Sequence, residues 1–138
     1  MIHHLLYGLL ASLAVCPLAD AQQTGWATWY GDGNYHGAVR ADGQAFDPDE
    51  IGCAHRSIPL GTEIIVEAKD TGRMIVCDVN DRGPYGMMEP GGSWCNSGVE
   101  DCEGEYRGIL DLSLAAARSL WNTGDDEYPP NGDVILRY

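Results

Sequence analysis

Residues 63–86, "EIIVEAKDTGRMIVCDVNDRGPYG", decide the fold. Two runs rich in Ile and Val flank Lys69-Asp70-Thr71-Gly72, the composition of a tight turn between antiparallel strands. Residues 63–68 and 73–79 therefore read as a β-hairpin. Period-2 alternation along its second strand puts Ile75, Cys77, Val79 and Asp81 on one face. Arginine, glycine and proline follow at once, so Asp81 stands at the rim of an apolar surface where a turn begins. Such an acid can bond nearby backbone N–H groups in the turn, or it can be held out over a substrate. Burial at the rim is expected to raise its pKa, as a general acid requires, while the adjacent Arg82 pulls the other way.

The segments around the hairpin use the same short-strand grammar. "GWATWYG" (25–31) alternates as a strand does, and "DVILRY" (133–138) reads as a closing strand after the turn "PPNG". One segment is helical: "DLSLAAARSLWN" (111–122) spaces Leu114, Ala117, Leu120 and Trp121 on one helical face, with Ser113 as N-cap and Gly124 as stop. Residues 86–107 read as one long apolar-poor loop containing Cys95 and Cys102; loops of that length are usually functional or disordered, and two cysteines argue against disorder. Six or so short strands, one helix and no βαβ rhythm predict a mainly β fold, a small closed β-barrel.

The chain has 138 residues, which suits one domain. Residues 1–21 read as a separate signal peptide: an apolar run from Leu5 to Val15, too short for a membrane span, precedes Ala19-Asp20-Ala21, a small-x-small cleavage pattern. Cleavage is expected near Ala21, leaving the domain 22–138 secreted or periplasmic. Acylation at Cys16 would need a small residue before it, and Val15 is not one.

Without Cys16, four cysteines remain: Cys53, Cys77, Cys95 and Cys102. In a secreted chain an even number predicts two disulfides, with three possible pairings. With only His36 and His55 left beside them, no metal site and no cofactor are expected. The mature part holds 20 acids against 8 Lys and Arg, a balance of −12, which argues against nucleic acid or an anionic membrane as partner. The mature protein is expected to be a monomer.

The chemistry-bearing residues are few. His55 lies in "GCAHRSIPLG" and His36 in the glycine-rich "GDGNYHG". Trp26, Trp29 and Tyr30 crowd one short strand, where aromatics serve a core or grip the apolar faces of sugar rings. There is no phosphate-binding glycine loop, no G-x-S-x-G and no H-E-x-x-H.

Taken in order, "GWATWYG", "HGAVRADGQAFDP", "CAHRSIPLGTEIIV", "GRMIVCDVNDRGPY" and "GILDLSLAAARSL" resemble the double-psi β-barrel of the rare lipoprotein A (RlpA) family. The match covers residues 25 to about 121. The resemblance implies a six-stranded double-psi β-barrel and a lytic transglycosylase. Such an enzyme cleaves the β-1,4 bond between N-acetylmuramic acid and N-acetylglucosamine in peptidoglycan glycan strands and leaves a 1,6-anhydro end. It implies Asp81 and His55 as catalytic residues and Trp29, Tyr30 and Arg82 as substrate-binding residues. Asp111 would be structural, tying the helix entrance to the barrel. Asp81 would protonate the departing oxygen and then accept a proton from the sugar's 6-hydroxyl. Cys53 and Cys77 depart from the family pattern on the strands that carry His55 and Asp81, which implies a Cys53–Cys77 bridge beneath the site and a Cys95–Cys102 clasp in the long loop. The related expansins imply the alternative of a non-catalytic wall-binding or wall-loosening module. A glucan hydrolase would need a second acid such as Asp78 or Glu105 facing Asp81.

Overall fold

The structure, a computed structural model, describes residues 21–138, so the expected leader lies almost wholly outside the described residues. Nine strands and one helix run in the order β1 (Gln22–Tyr30), β2 (Cys53–Ala54), β3 (Glu63–Ala68), β4 (Met74–Asp81), β5 (Gly86–Met88), β6 (Trp94–Asn96), β7 (Glu105–Tyr106), β8 (Leu110–Ser113), α1 (Leu114–Trp121) and β9 (Gly132–Arg137). Six of them close a barrel in the order β1-β8-β2-β4-β3-β9. The β3–β4 hairpin forms where its composition places it, Ile65 opposite Val76. Two pairings are parallel, β1 with β8 and β2 with β4; the rest of the barrel is antiparallel. This is the expected six-stranded double-psi barrel with one short helix.

The barrel closes because alternate residues are apolar. Ala27, Ile64, Val66, Val79, Leu110 and Leu136 are fully buried inside it. Each of the valines, leucines and isoleucines among them, removed from water, contributes roughly 1.5–3 kcal/mol, which is how a domain of this size offsets its ordering cost. The Cys53–Cys77 disulfide ties β2 to β4 inside that core. The strand β1 starts at Gln22, three residues before the sequence suggests, and Ala21 exchanges both backbone hydrogen bonds with Tyr138 (2.9 and 3.0 Å).

Two expectations need correcting. The helix begins where Ser113 predicts, its side chain accepting from the Ala116 amide, but it stops at Asn122 rather than Gly124. Asn122 takes the left-handed conformation (φ 53°), which Asn tolerates better than most residues because of its short polar side chain. Residues 86–107 are not one loop. They fold into a second sheet in the order β6-β5-β7, clasped by the Cys95–Cys102 disulfide.

Candidate active site

One row of residues crosses four adjacent strands: Thr28 on β1, Asp111 on β8, Ala54 on β2 and Asp81 on β4. Its register follows from the barrel order, Thr28 opposite Asp111, Asp111 opposite Ala54, and Ala54 opposite Asp81. The two acids are thus separated by two strand spacings, about 10 Å between α-carbons. Only the small Ala54 side chain stands between them.

Asp81 reaches this row through an irregularity. Ile75, Cys77 and Val79 face the core as expected, but the β2–β4 register shifts between Val79 and Asp81, leaving Asn80 as an extra residue. A bulge of this kind re-aims the following side chain. Asp81 therefore leaves the core face and enters a cavity of about 450 Å³ on the outside of the barrel. Thr28, Tyr30, Ala54 and Asp111 line the same cavity.

Three donors fix the Asp81 carboxylate. The Tyr30 hydroxyl donates to Oδ2 at 3.2 Å, and the backbone amides of Ala41 and Arg82 donate to Oδ1 at 3.0 and 2.9 Å. Burial, followed by the charges of Asp81 and Asp111, pushes the Tyr30 phenol far above its ordinary value, so it remains a donor. The Tyr30 ring is held by stacking on Phe46, centroids 4.5 Å apart.

Asp111 combines a tie between β8 and β1 with a position facing the cavity. Ser113 secures the helix entrance, accepting from Ala116 and donating to the Glu50 carbonyl. The side chain of Asp111 turns instead into the cavity and accepts from the Thr28 hydroxyl at 3.2 Å. Burial pushes its carboxyl up to about 7, the Asp81 charge adds to this, and Thr28 opposes it. A substantial fraction of this carboxyl therefore retains its proton at neutral pH. The signal for it was present in "ILDLS": an acid flanked by two leucines that alternation sends inward must itself point out of the barrel.

His55 does not reach the cavity. It follows Ala54, so alternation turns it to the barrel's inner side, where it is 5% exposed. Its Nδ1 accepts from the Ser57 and Ile58 amides, both at 3.0 Å. That requires Nε2 to carry the hydrogen it donates to Gln23 Oε1 at 2.8 Å. Burial, then the charges of Arg56 and Arg82, lower its pKa and keep the ring neutral. Trp29 is likewise turned away from its neighbour Tyr30, packing on the core, stacking with Tyr128 (5.9 Å) and donating to the Pro129 carbonyl at 2.8 Å.

Arg82 touches the cavity, but its guanidinium donates to the His55 and Ile58 carbonyls. Arg56 acts similarly, bracing the turn that follows Asp81 through the Pro84 carbonyl (2.6 Å) and the Gly108 carbonyl (2.8 Å). In that turn Gly83 adopts a φ of 136°, open to glycine alone, and its bond to Pro84 is cis. Asp78 is exposed and borders a separate groove, and Glu105 is exposed on β7. Neither lines the Asp81 cavity.

The fold and the paired acids define a double-psi barrel with a carboxyl-bearing cleft. The family model described as lytic transglycolase matches residues 22–129, and the chain belongs to that family. It is 36% identical over 107 residues to the endolytic peptidoglycan transglycosylase RlpA of Pseudomonas aeruginosa, covering 75% of this chain and 26% of that protein. It is 35% identical over 111 residues to the probable endolytic peptidoglycan transglycosylase RlpA of Aquifex aeolicus, covering 80% of this chain and 40% of that one. The chain thus spans well under half the length of these curated relatives. Among solved structures, the Streptomyces papain inhibitor shares the fold at a TM-score of 0.50 and 22% identity, covering 85% of this chain and 93% of its own.

Proposed function

We propose that this protein is a secreted or periplasmic lytic transglycosylase of peptidoglycan glycan strands. The reading rests on one observation above all: two carboxyl groups, Asp81 and Asp111, flank Ala54 and face one cavity. The lytic transglycolase family and the names of its relatives supply the substrate class.

The two acids take different roles because their surroundings differ. Asp111, held protonated by burial, donates its proton to the departing 4-oxygen of N-acetylglucosamine as the bond to C1 of N-acetylmuramic acid breaks. Asp81, oriented by its three donors, accepts the proton of the muramic 6-hydroxyl as O6 bonds to C1 and closes the 1,6-anhydro ring. One C–O bond breaks, one forms, and the two acids regain their starting protonation through solvent. Tyr30 and Arg82 position Asp81, and His55 holds the segment 55–58 that bears the Arg82 contacts.

The second carboxyl also favours a second reading, hydrolysis of the same bond with water in place of O6. Product analysis separates the two. The mature chain and an Asp81→Asn variant are incubated with sacculi, and released fragments are weighed by mass spectrometry. Anhydromuramyl ends from the parent alone support transglycosylation, and reducing ends support hydrolysis. Retention on sacculi without release would leave a non-catalytic wall-binding module.

A further inference from the structure

The β6-β5-β7 sheet, with the residues flanking it, forms the second wall of the cavity, through Trp94 and Asn96 on β6, Tyr85 before β5 and Arg107 after β7. The two arginines of the cavity differ in what they touch. Arg82 is anchored through Nη1 by the His55 and Ile58 backbone carbonyls. Arg107 makes no side-chain hydrogen bond and no ion pair among the described residues. Its guanidinium lies 4.8 Å from the ring centroid of Trp94 and 5.9 Å from that of Trp26. In a chain of net charge −13, a cation without an acidic partner stands on the wall of a cavity whose floor carries two acids. Trp94 is 54% exposed and lends the wall an aromatic surface. Asn96 Oδ1 accepts from the Gly98 amide at 2.9 Å, which leaves its NH2 group as a donor.

We propose that this wall is a subsite for a sugar ring bearing a carboxylate, with Arg107 pairing the carboxylate and Trp94 packing on the ring. The proposal rests on the glycan reading above and deepens it. An anionic sugar approaching the Asp81 carboxylate meets repulsion that a neutral sugar does not, and Arg107 offsets it. A guanidinium held against an aromatic face is pre-oriented, so it loses little freedom when it pairs. On a muramic acid residue the carboxylate has two sources, the lactyl ether or the attached peptide. The Cys95–Cys102 clasp holds β6, which carries Trp94 and Asn96, near the segment leading to Arg107.

The test measures binding by calorimetry in the Asp81→Asn chain, so that no bond is cut. Three ligands of equal length are compared: a neutral N-acetylglucosamine tetrasaccharide, a peptide-free alternating glucosamine–muramic acid tetrasaccharide, and the same glycan with its peptide. A preference of about tenfold for a carboxylated glycan, shrinking as salt rises, is expected from one charge pair. Preference for the peptide-free glycan assigns the lactyl carboxylate, and preference confined to the peptide-bearing glycan assigns the peptide's. Adding Arg107→Gln brings the ratio to the neutral glycan near one, Arg107→Lys keeps part of it, and Trp94→Ala weakens all three ligands. Equal affinity for neutral and carboxylated glycans overturns the proposal, as does a ratio that survives Arg107→Gln, or no binding of any glycan. Cleavage of sacculi by the unaltered chain is scored separately, so failure of the lytic reading and failure of this subsite remain distinguishable.

Discussion

The Tyr30 hydroxyl donates to Oδ2 of Asp81 at 3.2 Å, joining residues 51 apart in sequence. β1 and β4 are not neighbours in the barrel; β8 and β2 lie between them. Tyr30 therefore reaches Asp81 across the cavity floor, and its ring is braced there by Phe46.

Tyr30→Phe removes one of three donors and keeps the stacked ring. A hydrogen bond to a charged group is worth roughly 1.5–3 kcal/mol, so turnover is expected to fall by about tenfold or more. The thermal midpoint should barely move. Steady-state kinetics on soluble glycan, alongside a melting curve, checks both; unchanged turnover would remove Tyr30 from the machinery.

Asp111→Asn is expected to abolish cleavage and to stabilise the fold. Its folded-state pKa is raised from 3.8 to about 7, so the unfolded chain ionises first as pH rises. The penalty is absent below about pH 4, grows between 4 and 7, and is constant above; at full size it is on the order of a few kcal/mol. Denaturant unfolding at pH 4 and pH 8 should show the variant gaining only at the higher pH. In the parent, activity should decline above about pH 7 as the proton leaves Asp111. An activity profile that stays flat through pH 8 would contradict its role as the acid.

His55→Ala should cost stability more than catalysis. It leaves the Ser57 and Ile58 amides and the Gln23 side chain without their partner, a loss of about 2–3 kcal/mol. Because burial lowers the His55 pKa, the unfolded chain binds its proton more readily. The parent therefore loses stability as pH falls below 6.5, the ordinary histidine value, and the variant lacks that slope. A variant that melts like the parent but no longer turns over would restore His55 to a catalytic role.

The two disulfides should separate on mutation. Cys53→Ala with Cys77→Ala opens a closure of 24 residues in the core, costing about 3 kcal/mol in the chain-entropy account. Cys95→Ala with Cys102→Ala opens a closure of 7, about 2 kcal/mol in the same account, and frees the cavity wall. The first pair should lower the melting temperature with binding preserved at low temperature. The second should weaken glycan binding well below its melting transition, which titration at 10 °C reads directly.

Much of this molecule is legible residue by residue. The hairpin at 63–81, the Ser113 cap and the barrel class follow from patterns within a few positions of each other. Strand alternation also held information that the aromatic composition of "TWY" obscured: adjacent Trp29 and Tyr30 must face opposite sides, and the same parity sends Ala54 and His55 apart. Residues 86–107 look like a loop because their strands, of three, three and two residues, are too short to show a period. Their order comes from the β5 ladders and a disulfide.

The sequence by itself determined part of the local grammar: the strands at 25–30, 63–68, 74–79 and 133–137, where the helix starts, and that an acid followed by "RGP" sits at a strand end. Only the tertiary structure decided that Asp81 shares its cavity with Asp111 and not with His55. Those partners are set by the strand order β1-β8-β2-β4 and by the extra residue at Asn80. Both are properties of closure. A barrel joins strands that are remote in the chain, and a single bulge reverses the side to which the next residue points.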